Sequence, residues 1–149
     1  MGGALAQGPS AFKEERRAME TVVRHVLVVD DDADSRAVLT TLLRMMGYSA
    51  MSAASGDEAL HIVYSKMECD AVVANVIMPG LSGIEFARLT RKVRPGIPIV
   101  FVAGHPDEID VATKAGVIPL LRPFTRERLE AVLADASRSQ KTGSKGAQS

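Results

Sequence analysis

Three consecutive carboxylates, Asp30, Asp31 and Asp32, directly follow the apolar run at residues 26–29. Mutual repulsion disfavours three charged groups packed at one strand end unless a cation neutralises them. A hard divalent ion, which prefers oxygen ligands, would do so. The competing interpretation is a solvated turn in which Asp32 or Asp34 caps the next helix. The triplet alone does not decide between these two interpretations.

The elements that must position this triplet follow from the pattern of apolar residues. Short apolar runs alternate with segments of helical period, which predicts βαβ units and an α/β fold with a doubly wound parallel sheet. The five predicted strands are at residues 26–29, 49–53, 71–74, 97–102 and 117–121. Ligands of such folds bind beyond the carboxyl ends of the strands. We therefore expect the chemistry just after the first, third and fourth strands.

The first helical segment carries an apolar stripe of Val38, Leu42, Met45 and Met46, which we predict to face the core. It ends at Gly47, a residue suited to the left-handed position that follows many helices. This segment is predicted to be the first of five helices.

The starts of the later helices are marked by capping residues. The pairs Ser55 with Glu58 and Ser82 with Glu85 have the capping-box spacing that begins the second and third helices. A shorter fourth helix is predicted around residues 109–112. The fifth is capped by Thr125. Its apolar stripe is Leu129, Val132, Leu133 and Ala136.

Length and composition limit the classes of function. The 149 residues suffice for one domain, and 46% hydrophobic with 24% charged residues is the balance of an ordinary globular protein. We predict a flexible arm at residues 1–23, one domain at 24–137 and a flexible tail at 138–149. The single cysteine, Cys69, cannot form an internal disulfide, which fits a reducing cytoplasmic location.

The charges argue against two kinds of partner. Eighteen basic and eighteen acidic residues cancel, so no net field attracts nucleic acid or an acidic membrane surface. No apolar stretch approaches the roughly 20 residues that a membrane-spanning helix requires. We expect a protein that binds neither nucleic acid nor membrane.

Four segments resemble those of response-regulator receiver domains. Residues 27–32 resemble the acidic signature that ends the family's first strand, and residues 70–83 its third strand and following loop. Residues 98–104 are similar to its fourth strand, and residues 115–116 with 122–124 to its fifth strand and its Lys-Pro-Phe ending. The resemblance extends over residues 26–136 and implies a flavodoxin-like receiver fold, with strand order 2-1-3-4-5 and five helices.

Four positions depart from the family pattern. The aspartate that accepts the phosphoryl group corresponds to Asn75, whose neutral amide is not a nucleophile toward phosphorus. The family's switch hydroxyl corresponds to Ala103, and its switch aromatic to Pro119 or Leu120, of which we favour Leu120. The conserved cation corresponds to Arg122. The resemblance therefore indicates a pseudo-receiver.

Metal binding is expected to be weak. By resemblance, Mg²⁺ would be held by Asp31, the side-chain oxygen of Asn75 and the backbone carbonyl of Ile77, with Asp30 acting through water. A neutral amide in place of a carboxylate weakens such binding. The Arg122–Pro123 peptide resembles the position where receivers carry a cis bond.

The leading hypothesis is a stand-alone, non-enzymatic module of two-component signalling that binds a histidine kinase, another receiver or a second copy of itself. By resemblance, the contact face is formed by the fourth helix, the fifth strand and the fifth helix. It would include Lys114, Leu120, Arg126 and Arg128. For the two arginines, an ordinary solvated helix face is the competing interpretation.

Two alternatives remain open. The first is a phospho-accepting receiver in which Asp31 or Asp32 replaces the missing acceptor and Arg122 stabilises the phosphoryl charge. The second is a small-ligand pocket beside Ala103 and Gly104, where small residues leave room next to the carboxylates.

Overall fold

The computed structural model describes residues 23–136. The predicted tail therefore lies outside the described residues, as does the predicted arm up to residue 22. Val23, which we assigned to the arm, is instead buried at 4% exposure and packs in the core with β1. The strands are β1 His25–Val29, β2 Ser49–Ala53, β3 Ala71–Asn75, β4 Ile99–Ala103 and β5 Ile118–Leu121. The helices are α1 Ala33–Met45, α2 Gly56–Tyr64, α3 Gly83–Val93, α4 Asp107–Lys114 and α5 at residues 126–136.

The five strands form one parallel sheet in the order β2-β1-β3-β4-β5. This order and the five helices confirm the predicted fold. Val29 at the end of β1 pairs with Ala53 and Ala74, and Ala103 at the end of β4 pairs with Leu121. The carboxyl ends of the strands therefore meet at one edge, where the predicted site residues begin.

Helices cover both faces of the sheet, so β1, β3 and β4 are buried on both sides, as parallel strands usually are. Successive side chains alternate between the two faces. Leu27 and Phe101 belong to the cluster under α2, α3 and α4, whereas Val28 and Val100 belong to the cluster under α1 and α5. None of the described helices is long and apolar enough to cross a membrane.

Two of the four residues predicted for the core-facing stripe of α1 are wrong. Val38 is 68% exposed and Met45 70% exposed, while Leu39 and Leu43 are buried. Leu42 and Met46 are partly buried against the same core, so the predicted stripe is only half right. Leu39 and Leu43 are also spaced by one helical turn, and contact with the sheet decides which of the two neighbouring stripes faces inward.

The capping predictions are confirmed for α2 and α3. The Ser55 hydroxyl accepts the backbone N–H of Glu58 at 3.1 Å, and the Ser82 hydroxyl accepts that of Glu85 at 3.2 Å. The Glu85 carboxylate does not reach back to the cap, because it pairs with Arg88. Each cap satisfies a backbone donor at the first turn of its helix.

The end of α1 and the start of α5 also agree with the sequence pattern. Gly47 has the expected positive φ, at 99°. The Thr125 hydroxyl accepts the backbone N–H of Arg128 at 3.0 Å. The predicted stripe of α5 is buried at Leu129, Val132, Leu133 and Ala136. α5 therefore lies flat against the sheet beside α1.

Candidate functional site

The site lies at the edge where β1, β3, β4 and β5 end. Asp30 follows β1, Asn75 and Ala103 are the last residues of β3 and β4, and Arg122 follows β5. The Arg122 guanidinium donates through Nη2 to Asp30 Oδ2 over 3.3 Å. Residues 92 positions apart in the chain therefore meet, as the parallel sheet requires.

Asp30 is a buried carboxylate with only 3% exposure, and both of its oxygens are engaged. Oδ1 accepts the backbone N–H of Asp32 at 3.0 Å, and Oδ2 faces Arg122. The Asp30 backbone carbonyl accepts a hydrogen bond from Arg36 Nη1 at 2.7 Å. A buried charge requires such partners. Asp30 is thereby held in one orientation at the floor of the site.

The other two carboxylates differ in role. Asp32 caps α1 and accepts the backbone N–H of Ser35 at 2.8 Å. The capping interpretation is therefore confirmed for Asp32, while Asp34 lies inside the first turn. Asp31 is exposed to solvent.

Hydrogen bonds from Ser35 lower the pKa of Asp32 below its ordinary value of 3.8, and the charges of Arg122 and Arg36 act in the same direction. A lowered folded-state pKa means that the charged cap stabilises the fold above pH 3.8 and that this contribution is lost as the pH falls through the folded-state pKa.

We therefore expect Asp32→Ala to be less stable than the natural protein at neutral pH, because α1 loses its cap. The difference should shrink as the pH falls below 3.8, where the natural carboxylate protonates. Urea unfolding curves across this pH range measure it. Asp32→Asn is the control, since an amide still caps but does not titrate. A stability difference between Asp32→Ala and the natural protein that is independent of pH would contradict this assignment.

Asn75 is half-buried at the end of β3, in register with Val102 of β4. Ala103 is fully buried, and its backbone carbonyl accepts the Arg122 backbone N–H at 2.8 Å. That bond places Arg122 beside the acidic residues. The side chain of Ile77 points to solvent and is 68% exposed. The predicted acceptor, switch and cation positions thus share one edge of the sheet.

The Arg122–Pro123 peptide is cis, as the resemblance implied. Of the two candidates for the switch aromatic, Leu120 is buried at 1% exposure under α1 and α5. Pro119 is half-buried and pairs with Phe101 of β4. The two candidates therefore point to opposite faces of the sheet, and neither side chain is aromatic.

The predicted contact face is only partly correct. Lys114, Arg126 and Arg128 are exposed, as expected. Leu120 is not on the surface, because strand alternation turns it into the core, and the exposed residue beside it is Leu121 at 37%. Val111 on α4 is 44% exposed and adds apolar surface to this face.

A groove of about 370 Å³ next to the acidic residues was not predicted from the sequence. It lies between α1 and the segment that follows β5. Its lining is Asp34, Ser35, Val38, Leu39, Leu42, Val102, Arg122 and Phe124. The sequence contains one signal for this groove. α1 carries two neighbouring apolar stripes, and Val38, which belongs to the stripe that is not buried, lines the groove.

A close backbone approach at Gly83 was also missed. A Cβ at this position would meet the Val76 carbonyl oxygen at 2.8 Å and the ring of Phe101 at 3.2 Å. Only glycine therefore allows α3 to begin this close to the loop that follows Asn75. The predicted capping pair nearby marked the helix start but not this contact.

The donor set is poor for Mg²⁺. Within residues 23–136, no group of three or more His, Cys, Asp or Glu side chains could hold a metal ion. Asp30 and Asp32 are already engaged in hydrogen bonds, and Asn75 contributes a neutral amide. Mg²⁺ requires near-octahedral oxygen ligation, usually from one or two carboxylates together with several waters. Among the predicted ligands, Asp31 is charged, whereas Asn75 and the backbone carbonyl of Ile77 are neutral.

Comparison with known families agrees with this geometry. The model of the response regulator receiver domain matches residues 26–134, most of the chain. The chain belongs to this receiver-domain family. Members are signalling modules of two-component regulators, and the family membership predicted from the four segments is confirmed.

Solved structures of receivers share the fold. A response regulator receiver domain protein from Clostridium thermocellum superposes with a TM-score of 0.74 at 27% identity, covering 80% of this chain and 98% of its own. The chemotaxis protein CheY4 of Vibrio cholerae gives a TM-score of 0.69 at 28% identity, covering 77% and 99%. These neighbours are single receiver domains of nearly the same extent as the described residues.

Curated relatives are longer. The DNA-binding response regulator MtrA of Mycobacterium tuberculosis is 33% identical over 116 residues, covering 76% of this chain and 50% of MtrA. The probable transcriptional regulator ycf27 of Cyanidium caldarium is 34% identical over 110 residues, covering 72% and 43%. The receiver chain described here thus spans half or less of these relatives.

Proposed function

We propose that this receiver does not accept a phosphoryl group at Asn75 and that it acts by binding other signalling proteins. The observation that carries the proposal is the position of Asn75, which ends β3 at the edge shared with Asp30 and Arg122. This is where an acceptor carboxylate would stand. Deprotonation cannot convert an amide into a carboxylate, so no neighbouring base makes Asn75 a nucleophile.

Two neighbouring residues support the same conclusion. Ala103 presents a buried methyl group where a hydroxyl would bond a phosphoryl oxygen. Arg122 is present, but its guanidinium is directed to Asp30. Ala103 therefore lacks the hydroxyl that would respond to phosphorylation, and the charge of Arg122 is already paired within the site.

Two surfaces support binding to proteins. The first is the face of α4, β5 and α5, where Lys114, Val111, Leu121 and Arg126 are exposed. The second is the groove along α1. Its apolar lining, which includes Val38, Val102 and Phe124, suits a partner that presents an apolar side chain. A histidine kinase, another receiver or a second copy of this chain are the proposed partners.

Neither nucleic acid nor membrane is proposed as a direct partner, and the proposed location is the cytoplasm. The relatives whose names include DNA binding extend well beyond the part that matches this chain. The chain itself has balanced charge, with eighteen basic and eighteen acidic residues. DNA binding generally requires a basic surface that neutralises phosphates.

The direct test is the intact mass of the natural protein after incubation with acetyl phosphate and Mg²⁺. We expect no phosphoryl adduct, because the candidate acceptor is an amide. A stable adduct on an aspartate of the site would overturn the proposal. The measurement requires no knowledge of the partner, so it separates the chemical question from the search for partners.

The second candidate is a receiver that uses another carboxylate. The exposure of Asp31 favours it over Asp32, whose carboxylate is bound to the first turn of α1. If an adduct formed on the natural protein and was lost in Asp31→Asn, this candidate would replace the leading one. If Asp31→Asn retained the adduct, Asp31 would not be the acceptor.

A small ligand beside Ala103 and Gly104 is less well supported. The backbone N–H groups of Gly104 and His105 donate to Glu108 Oε1 at 2.9 and 3.0 Å. The loop after β4 is thereby folded onto α4, and the groove lies instead on the α1 side of Arg122.

A further inference from the structure

We infer that Arg122 is the resident cation of the acidic pocket and that it takes the place of the divalent ion that a phosphoryl-accepting site would need. The pocket is then neutralised within the chain and disfavours Mg²⁺. This inference deepens the proposed function and rests on it, because a site without phosphoryl transfer has no need of a metal.

Asp30 is already bound by donors from within the chain. Its side chain is 4% exposed, and its two oxygens receive the Asp32 backbone N–H and the Arg122 guanidinium. A metal ion that approached Asp30 directly or through water would compete with these donors for the lone pairs of the carboxylate. An ion beside Oδ2 would also face the charge of the guanidinium, which repels it.

Few carboxylates of the site remain to bind a metal ion. Asp32 is bound to the backbone N–H of Ser35, and Asn75 is neutral. Of the three aspartates, Asp31 is the one that can bind a metal ion without breaking a side-chain hydrogen bond seen in the described residues. One carboxylate, an amide and a carbonyl supply a single negative charge against the two positive charges of a divalent ion. The adjacent guanidinium adds repulsion.

Arg122 is itself anchored to the sheet. Its backbone N–H is bonded to the Ala103 carbonyl at 2.8 Å, so the residue is tied to the end of β4. Its side chain is 40% exposed and also lines the groove beside Phe124. A guanidinium is always charged and is weakly hydrated compared with an ammonium, so it suits a position beside a buried carboxylate. The cation therefore belongs to the framework of the fold.

The test is a titration of the ¹⁵N-labelled full chain with MgCl₂, followed by amide chemical shifts of residues 30–32 and 75–77. Arg122→Met removes the charge and keeps the length of the stem, and Arg122→Gln is a second neutral variant in case the first fails to fold. Arg122→Lys keeps the charge. We expect the two neutral variants to bind Mg²⁺ at least about tenfold more tightly than the natural protein. Arg122→Lys should resemble the natural protein.

Adding Asp31→Asn to a neutral variant should abolish the gained affinity, which would show that the ion occupies this pocket. Equal Mg²⁺ affinity in the natural protein and in a folded neutral variant would overturn the inference. Low-millimolar binding by the natural protein would also overturn it. No phosphodonor is present, so these outcomes are independent of the mass measurement that tests the proposed function.

Discussion

Replacing Asn75 by aspartate is expected to give a protein that gains one phosphoryl group from acetyl phosphate and Mg²⁺, whereas the natural protein gains none. The substitution adds a carboxylate nucleophile at the end of β3, within the edge that also carries Asp31 and Arg122. It also adds a second unengaged carboxylate for a metal ion, which improves the donor set. The backbone of the site needs no change, because the two side chains are nearly isosteric.

Intact mass spectrometry of both proteins, treated in parallel, measures this gain. Asn75→Ala is the matched control, since it alters the same position without supplying a nucleophile, and it should remain unmodified. Asn75→Asp with Asp31→Asn should lose most of the uptake, because the metal ligands are again reduced to one charged group. A folded Asn75→Asp protein without an adduct would show that Ala103 or Arg122 also blocks the reaction.

Leu43→Ala is expected to destabilise the protein by about 2–5 kcal/mol, whereas Val38→Ala on the same helix should change stability by less than about 0.5 kcal/mol. Leu43 is fully buried in the cluster under α1 and α5, and Val38 is 68% exposed. Truncating Leu43 leaves a cavity between α1 and the sheet. Truncating Val38 removes a side chain that contacts mainly solvent and the rim of the groove.

Urea unfolding of the three proteins, followed by far-ultraviolet circular dichroism, gives the free energies of unfolding. The pair is a matched control, because both substitutions create alanine, a good helix former, inside α1. Leu39→Ala, at 7% exposure, should behave like Leu43→Ala. Similar losses for Val38→Ala and Leu43→Ala would contradict the observed rotation of α1 about its axis.

If Val38→Ala leaves the fold intact, it also serves as a probe of the groove. A partner that binds along α1 should then lose affinity for Val38→Ala, while its affinity for a variant of the α4 face, such as Val111→Ala, should not change. This comparison assigns a partner, once one is found, to one of the two surfaces.

The amino-acid sequence determined those features of this receiver that depend on neighbouring residues. Alternating apolar runs and helical segments predicted five strands and five helices, and capping residues such as Ser55, Ser82 and Thr125 located three helix starts. A cap is a bond between residues three positions apart, so its signal is contained in the local sequence. Asn75 was identified by resemblance, because residues 70–83 match the third strand and following loop of receiver domains.

The tertiary structure decided how these elements are rotated and which distant residues meet. Two neighbouring stripes of α1 have the same helical period, and only packing on the sheet selects Leu39 and Leu43 for the core. Strand alternation placed Leu120 inside and left Leu121 on the surface. The contact between Asp30 and Arg122 joins residues 92 positions apart and depends on the order of the strands. Such contacts have no local signal, because they arise only when the sheet brings the ends of its strands together.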